Sequence, residues 1–158
     1  MTMRDPSSTD TDFMAFANLH DVFLNATVCR SNMLKAPIVE DVEAFLASDR
    51  GRLERVWVMF LYVLIEAWRS RAMRATKSYM VARAPDFVQN IDRLIAEGEK
   101  NGNIERMRSI RDYMCHRDRR RYWDAGRVDV AGQLIYHEAI CQGFSEAFLE
   151  VVKHSSTP

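Results

Sequence analysis

The feature that most constrains this chain is the apolar segment 56–68, VWVMFLYVLIEAW. A helix that spans a membrane needs about 20 apolar residues. This segment has only 13 residues and contains Glu66, so it is too short to be such a span. As a helix it would be apolar on almost all sides, which is typical of a helix surrounded by other helices. The segment therefore predicts a helical bundle with 56–68 at its centre.

Helical periodicity extends over almost all of the remaining chain. Glycine and proline are scarce, with 6 and 4 residues among 158, so the turn-rich pattern of an all-β protein is missing. Gly98 is interpreted as the stop signal of the helix that precedes it. We predict a short helix that begins at Pro37, a helix that begins near residue 103, and longer helices over about 10–34, 52–82, 86–97 and 128–153.

These elements predict an all-α, up-down helical bundle of four main helices plus one or two short ones. Residues 1–9 are expected to form a disordered tail, and residues 10–153 a single domain. His20 and His137 lie on apolar stripes and are interpreted as core histidines. The stripe of the first helix is Phe13, Phe16, Ala17, His20, Phe23, Leu24 and Thr27, and that of the last helix is Val130, Leu134, His137, Cys141, Phe144, Phe148 and Val151.

The cysteines and the amino-terminal residues indicate the cellular compartment in which the protein is expected. Cys29, Cys115 and Cys141 are odd in number and widely spaced, which excludes a disulfide framework and a cysteine zinc site and fits a reducing cytoplasm. The first residues, MTMRDPSSTDTD, are polar and acidic, unlike a signal peptide. The chain lacks a Gly-rich phosphate loop, HExxH, and the Glu-x-x-His pairs of di-iron bundles. We therefore expect a cytoplasmic protein with no membrane association, no metal and no cofactor.

Charge is balanced overall but unevenly distributed along the chain. The 22 basic and 22 acidic residues cancel, yet residues 1–49 hold eight acids and three bases. The segment 105–121 has three acids against seven arginines, Arg106, Arg108, Arg111, Arg117, Arg119, Arg120 and Arg121. Such a basic run is either a solvated face or a surface that binds phosphates, because guanidinium groups match phosphate oxygens.

One of these arginines does not fit a solvated face. At 100° per residue, Arg111 lies on the same helical stripe as Ile104, Met107, Met114 and Cys115. An unpaired buried charge is costly, so this guanidinium must either be paired or line a cleft between helices. Two interpretations stay open here: an ion pair with Glu66 or an aspartate inside the bundle, or a functional site.

The segment that follows, Arg111-Asp112-Tyr113-Met114-Cys115-His116, resembles the signature of the HEPN superfamily. That signature is an arginine, often a polar residue next, and a histidine after four to six intervening positions, near the end of a helix that precedes a long final helix. The resemblance covers roughly residues 100–153. HEPN toxins that a nucleotidyltransferase partner silences carry a tyrosine two residues after the histidine. Asp118 stands there in this chain, so silencing of that type is not expected.

The resemblance implies a metal-independent ribonuclease of the toxin or defence type, with a site shared by the two protomers of a homodimer. RNA carries its own nucleophile, the 2′-OH, so His116 would move the proton and Arg111 would stabilise the phosphorane. Asp112 would orient the histidine or hold the arginine. An antitoxin or another regulatory protein is a possible partner. The arginines expected to bind RNA are Arg108, Arg117, Arg119, Arg120 and Arg121.

A second class of function remains open from the residues alone. In it, the chain is a non-catalytic helical module that binds a protein, a nucleotide or a small ligand. Glu66 would then be the ion-pair partner of Arg111, and His116 would merely end a helix. The two classes differ in geometry: Arg111 lining an accessible cleft favours the enzyme, whereas Arg111 sealed by Glu66 favours the module.

Overall fold

The structure is a computed structural model that describes residues 6–116 and 130–155. About 90% of these residues are helical, and none of them is in a strand. The predicted all-α helical bundle is therefore confirmed. The seven α-helices of the described residues are α1 (Pro6–Lys35), α2 (Val42–Ala47), α3 (Asp49–Arg69), α4 (Arg74–Val81), α5 (Pro85–Lys100), α6 (Asn103–His116) and α7 (Val130–Ser155).

Helix α3 lies at the centre of the bundle and packs against α1, α6 and α7. It contains the apolar segment 56–68, and the most deeply buried side chains of the segment include Trp57, Leu61 and Ile65. Val63 on the same helix is 38% exposed, so α3 reaches the surface along one narrow face. Glu66 lies on that side of the helix, three residues after Val63. On this face a charged side chain therefore borders the hydrophobic core.

The prediction of one continuous helix over 52–82 is wrong. Helix α3 ends at Ser70, whose extended backbone (φ −71°, ψ 150°) leaves the helix while its N–H bonds to the Ala67 carbonyl. A 3₁₀ turn, Arg71–Met73, then leads into α4. The break redirects the chain so that Thr76 and Met80 of α4 become fully buried. A straight continuation of α3 would not redirect the chain in this way. Packing therefore outweighs the local preference for helix.

The short second helix begins later than predicted. Pro37 does not open a helix, because residues 37–40 have no regular secondary structure and Ile38 is 79% exposed. Helix α2 instead starts at Val42, capped by Asp41, whose Oδ1 accepts a hydrogen bond of 2.8 Å from the Ala44 N–H. An aspartate side chain satisfies a free N–H at the helix start, which a proline cannot do.

The interpretation of Gly98 as a stop signal is also wrong. Helix α5 continues to Lys100 and ends at Asn101 and Gly102, the latter with a φ of +79° that favours glycine. Gly98 is buried inside the helix, and a Cβ atom there would overlap the ring and hydroxyl of Tyr136 on α7. This glycine therefore serves the close approach of α5 and α7.

Helix α1 differs from its prediction at its start and in the face it buries. It begins at Pro6, so residues 6–9 of the predicted tail are helical. Phe13 and Leu24, both predicted to lie in the core, are 49% and 45% exposed. Phe16 and Phe23 of the predicted stripe are buried as predicted, whereas the rest of the buried face, Leu19, Ala26 and Met33, was not predicted.

Helix α7 runs antiparallel to α1 and contributes much of the core. Phe148 contacts Phe16 and Phe23, while Glu138 pairs with Arg30 further along α1 at 2.8 Å. Leu134, predicted to lie on the buried stripe, is 37% exposed. None of the described helices has the length and apolar character that crossing a membrane requires. Five residues of the predicted stripe are buried, namely His137, Cys141, Phe144, Phe148 and Val151.

Candidate active site at the junction of α3 and α6

Helix α6 carries its apolar stripe from the core to the surface. Ile104 and Met107 near its start are 6% and 0% exposed, whereas Cys115 near its end is exposed. Arg111 lies between them, and its side chain is 25% exposed. The guanidinium is therefore at the point where the stripe leaves the interior, in contact both with α3 and with solvent.

Two carboxylates and one aromatic ring hold the Arg111 guanidinium. Its Nη2 donates to Glu66 Oε1 at 3.4 Å, across the junction of α3 and α6. Its Nε lies 3.1 Å from Asp112 Oδ1, an ion-pair distance at which the N–H direction makes no hydrogen bond. The centre of the guanidinium is 5.0 Å from the Tyr62 ring centroid, close enough for a cation–π contact. The ion pair between Arg111 and Glu66, one of the two interpretations from sequence, is present.

The pair does not seal the arginine from solvent. Side-chain exposure is 46% for Glu66 and 25% for Arg111, and the 3.4 Å separation is long for a charge-assisted hydrogen bond. The carboxylates touch Nε and one Nη atom, so a guanidinium can still offer N–H groups to an incoming anion. The sequence left two arrangements undecided, Arg111 in an accessible cleft and Arg111 sealed by Glu66. The observed geometry is intermediate between them.

Electrostatics keep this arginine charged and the neighbouring tyrosine neutral. Burial lowers the pKa of Arg111, but the carboxylates of Glu66 and Asp112 and the Tyr62 hydroxyl outweigh burial and hold that pKa above its ordinary value. Burial raises the pKa of Tyr62, and the Glu66 carboxylate raises it further. The cluster therefore presents a permanent cation, a phenol and carboxylates that contact the cation.

Asp112 and His116 are the other predicted catalytic residues. Asp112 is adjacent to Arg111 and its side chain is only 15% exposed. His116 is the last residue of α6, four residues after Asp112 and on the same face of the helix. Its side chain lies outside the described part of the structure.

The predicted RNA-binding arginines fall mostly outside the described residues. Arg108 is described: it lies one helical turn before Arg111, is 50% exposed, and pairs loosely with Glu105 at 3.6 Å. The pair lies on the solvent side of α6, so Arg108 is accessible to a polyanion. Arg117, Arg119, Arg120 and Arg121 lie beyond the described ranges 6–116 and 130–155.

Sequence reasoning misses the role of Tyr62. The pattern places it only in the apolar segment, although it stands four residues before Glu66 and so on the same face of α3. It is 5% exposed, and its hydroxyl interacts with both Glu66 and Arg111. The spacing to Glu66 is the available signal, since a tyrosine beside a charged residue in an apolar helix has a polar end to satisfy.

His137 and His20 occupy different environments. His137 is 2% exposed, its ring meets Trp57 edge-on at 6.0 Å, and neither ring nitrogen has a partner among the described residues. Burial lowers the pKa of His137 to about 4. His20 is half-buried between Phe16 and Phe148. Within 6–116 and 130–155, no group of three His, Cys, Asp or Glu residues is arranged to hold a metal ion.

Comparisons of this chain with protein-family models, with curated proteins and with solved structures find no match. The chemistry of the site therefore rests on its own residues. Arg111 supplies a cation that can bind a phosphate, and Glu66 supplies a carboxylate that is open to solvent. Together with a histidine at the end of α6, these groups are the types that phosphodiester cleavage needs.

Proposed function

We propose that this protein is a HEPN-like, metal-independent ribonuclease that cleaves RNA through attack of the 2′-OH on the adjacent phosphate. The observation that supports the proposal most strongly is the placement of Arg111, held beside Asp112 and still 25% exposed. His116 follows Asp112 by one turn on the same helix. The remaining exposure leaves part of the guanidinium accessible to a phosphate.

Each residue has a defined part in the proposed reaction. Arg111 stabilises the negative charge that develops on the phosphorane, through N–H groups aimed at its oxygens. His116 transfers a proton at the leaving group, since imidazole titrates near neutral pH. Asp112 holds Arg111 from the Nε side and keeps the fork in one orientation. Arg108 and the arginines of 117–121 bind the RNA backbone.

The proposal includes a homodimer, as the HEPN resemblance implies, and a regulatory partner such as an antitoxin. Support for an assembly comes from apolar side chains on the outer surface of the bundle. Phe13, Leu24 and Val28 on α1 are 49%, 45% and 58% exposed, and Leu149 on α7 is 60% exposed. Exposed apolar residues on two adjacent helices are a common feature of protein–protein interfaces.

The proposed function is tested with purified protein, RNA and EDTA. Cleavage is expected to persist in EDTA and to leave a 2′,3′-cyclic phosphate and a 5′-hydroxyl. Arg111→Ala and His116→Ala should each lower the rate about a hundredfold or more. Arg111→Lys should lose cleavage activity as well, because an ammonium group cannot form the paired hydrogen bonds of the guanidinium fork.

A matched variant separates loss of activity from loss of fold. Arg30→Ala removes another arginine, on α1, that pairs with a glutamate across helices, Glu138 of α7. It should keep full activity. Activity that requires a divalent metal, or a fully active His116→Ala, contradicts the ribonuclease proposal.

A second candidate, a non-catalytic binding module, is favoured by the ion pair between Arg111 and Glu66. In this case the protein does not cleave RNA under any of these conditions. The exposed apolar residues of α1 then form the binding surface, and Leu24→Lys should abolish partner binding without affecting the Arg111 cluster. The RNA assay therefore distinguishes the two candidates directly.

A further inference from the structure

We propose that Glu66 is the general base of the reaction, the group that accepts the proton of the attacking 2′-OH. The inference rests on the proposed ribonuclease function and adds a residue from α3 to a site otherwise built from α6. It gives each protomer its own proton acceptor next to its own Arg111.

Distance and exposure single out Glu66 for this role. Its Oε1 lies 3.4 Å from Arg111 Nη2, so a phosphate bound by the guanidinium would bring its neighbouring ribose close to the carboxylate. Its side chain is 46% exposed, so the 2′-OH of an RNA that approaches from the solvent side can reach the carboxylate. A general base must be within hydrogen-bond reach of the proton it removes.

Asp112 is a poorer candidate for the base. Its side chain is 15% exposed against 46% for Glu66, and it lies on the Nε side of the same guanidinium. A less exposed carboxylate beside a permanent cation is suited to hold the arginine in place. The two acids therefore have separate parts: Asp112 positions Arg111, and Glu66 faces the substrate.

Tyr62 adjoins Glu66 on the same face of α3. It stands one turn earlier on α3, is 5% exposed, and its hydroxyl interacts with Glu66 and with Arg111. The ring also packs 5.0 Å from the guanidinium. A buried phenol that contacts both groups keeps carboxylate and cation in a constant relation, which is the property that a preorganised site requires.

The step balances without a cofactor. The 2′-OH gives its proton to the Glu66 carboxylate while the 2′-oxygen forms a bond to phosphorus. The bond from phosphorus to the 5′-oxygen breaks, and protonated His116 gives its proton to that oxygen. The products are a 2′,3′-cyclic phosphate and a free 5′-hydroxyl, and later exchange of protons with water restores both residues.

The test compares Glu66→Gln with Glu99→Gln in the 158-residue chain. The glutamine keeps the size and hydrogen-bonding capacity of the glutamate but cannot accept the proton. Glu99 is the matched control, because it also pairs with an arginine across helices and is 45% exposed. Steady-state cleavage of a short RNA is measured in EDTA across a range of pH, with circular dichroism to verify folding.

We expect Glu66→Gln to lower kcat about a hundredfold or more, with KM nearly unchanged. The loss of rate towards low pH, which reports a base that becomes protonated, should disappear. The charged or titratable groups near Glu66 among the described residues include Arg111 of α6, with Asp112 on the other side of its guanidinium, and Tyr62 and Arg69, one turn before and after Glu66 on α3. Glu66→Asp should restore part of kcat, since a carboxylate returns at a shorter reach. Glu99→Gln should match the wild type.

The outcomes separate this inference from the proposed function. If the wild-type protein cleaves RNA but Glu66→Gln keeps its kcat and its pH profile, Glu66 is a structural partner of Arg111 and the inference is wrong. If the wild-type protein does not cleave RNA in EDTA, the ribonuclease proposal itself fails. A drop in kcat that Glu66→Asp does not relieve at all also overturns the assignment.

Discussion

Gly98 of α5 lies directly against Tyr136 of α7, and the Tyr136 hydroxyl donates a 3.0 Å hydrogen bond to the Leu94 carbonyl of α5. This interaction joins two antiparallel helices at a position where only a hydrogen atom fits between them. The tyrosine also satisfies its polar end inside the interface, as a buried hydroxyl must.

Gly98→Ala is expected to destabilise the protein. The added methyl group would overlap the Tyr136 ring, and overpacking of about 1–3 kcal/mol exceeds the gain of about 1 kcal/mol in helix propensity. Tyr136→Phe should cost about 1 kcal/mol because its hydrogen bond is removed. Together the two changes should cost less than their sum, because the hydroxyl nearest to the new methyl group is gone. Denaturant unfolding measures all three values, and strict additivity would contradict this packing.

His137 predicts a loss of stability in mild acid. Its pKa is lowered by burial to about 4 in the folded protein, against an ordinary value near 6.5. Because the unfolded chain binds a proton at higher pH than the folded one, stability should fall as pH drops from about 6.5 towards 4. The full loss is on the order of 3 kcal/mol.

Unfolding free energies of the wild type and of His137→Leu at several pH values check this expectation. The leucine cannot titrate, so its curve should be flatter between pH 6.5 and 4. At neutral pH the variant should be within about 1 kcal/mol of the wild type, since it also removes two buried nitrogens that have no partners among the described residues. Ile140→Val, a substitution of a buried side chain that does not titrate, is the control and should keep the wild-type slope. If the free energies of unfolding of His137→Leu and of the wild type change in parallel with pH, His137 is not the cause of the loss of stability in mild acid.

The helical class and the central position of 56–68 could be predicted because a 3.6-residue periodicity is a local property of the chain. The face of α1 could be predicted only in part. Phe16 and Phe23 are buried as predicted, but Phe13 and Leu24 on one side of them are exposed, and Leu19 and Ala26 on the other side are buried. The choice between the two sides depends on how α3 packs against α1, a long-range relation that periodicity does not contain. The break at Ser70 has the same origin.

The candidate site is predictable in part for a similar reason. Arg111 and Glu66 are both charged residues inside apolar stripes, and the cost of burying either charge alone predicts that they meet. Their 3.4 Å separation agrees with that argument. Tyr62 lies in a run of apolar residues, where its ring alone explains its position. Only the fold reveals that its hydroxyl points to the same cluster.

Arg108→Ala should weaken RNA binding without lowering kcat. Arg108 is 50% exposed one turn before Arg111, so it can bind a backbone phosphate but not the reacting atoms. For a single strand, removing one bound phosphate reduces the slope of log K against log salt by about 0.7. Binding of an RNA with 2′-O-methyl riboses, which cannot be cleaved, is titrated at several salt concentrations. Arg93→Ala, a similarly exposed arginine on α5, should leave the slope unchanged.

The last prediction concerns self-association through α1. Leu24 and Val28 are 45% and 58% exposed, one turn apart on the outer side of the helix, while Phe148 of α7 packs against its inner side. Burying such side chains between two copies removes apolar surface from water, worth about 25 cal/mol per Å². The double substitution Leu24→Lys, Val28→Lys places charges on this surface without entering the core, so it should convert a dimer into a folded monomer.

Sedimentation velocity at micromolar concentration measures the change, and Ile38→Lys is the control, since Ile38 is 79% exposed but lies outside the helix. A wild-type protein that is already monomeric, or a double variant that stays dimeric, would show that α1 is not the dimer interface. If the dimer is lost and RNA cleavage falls with it, the site depends on both protomers.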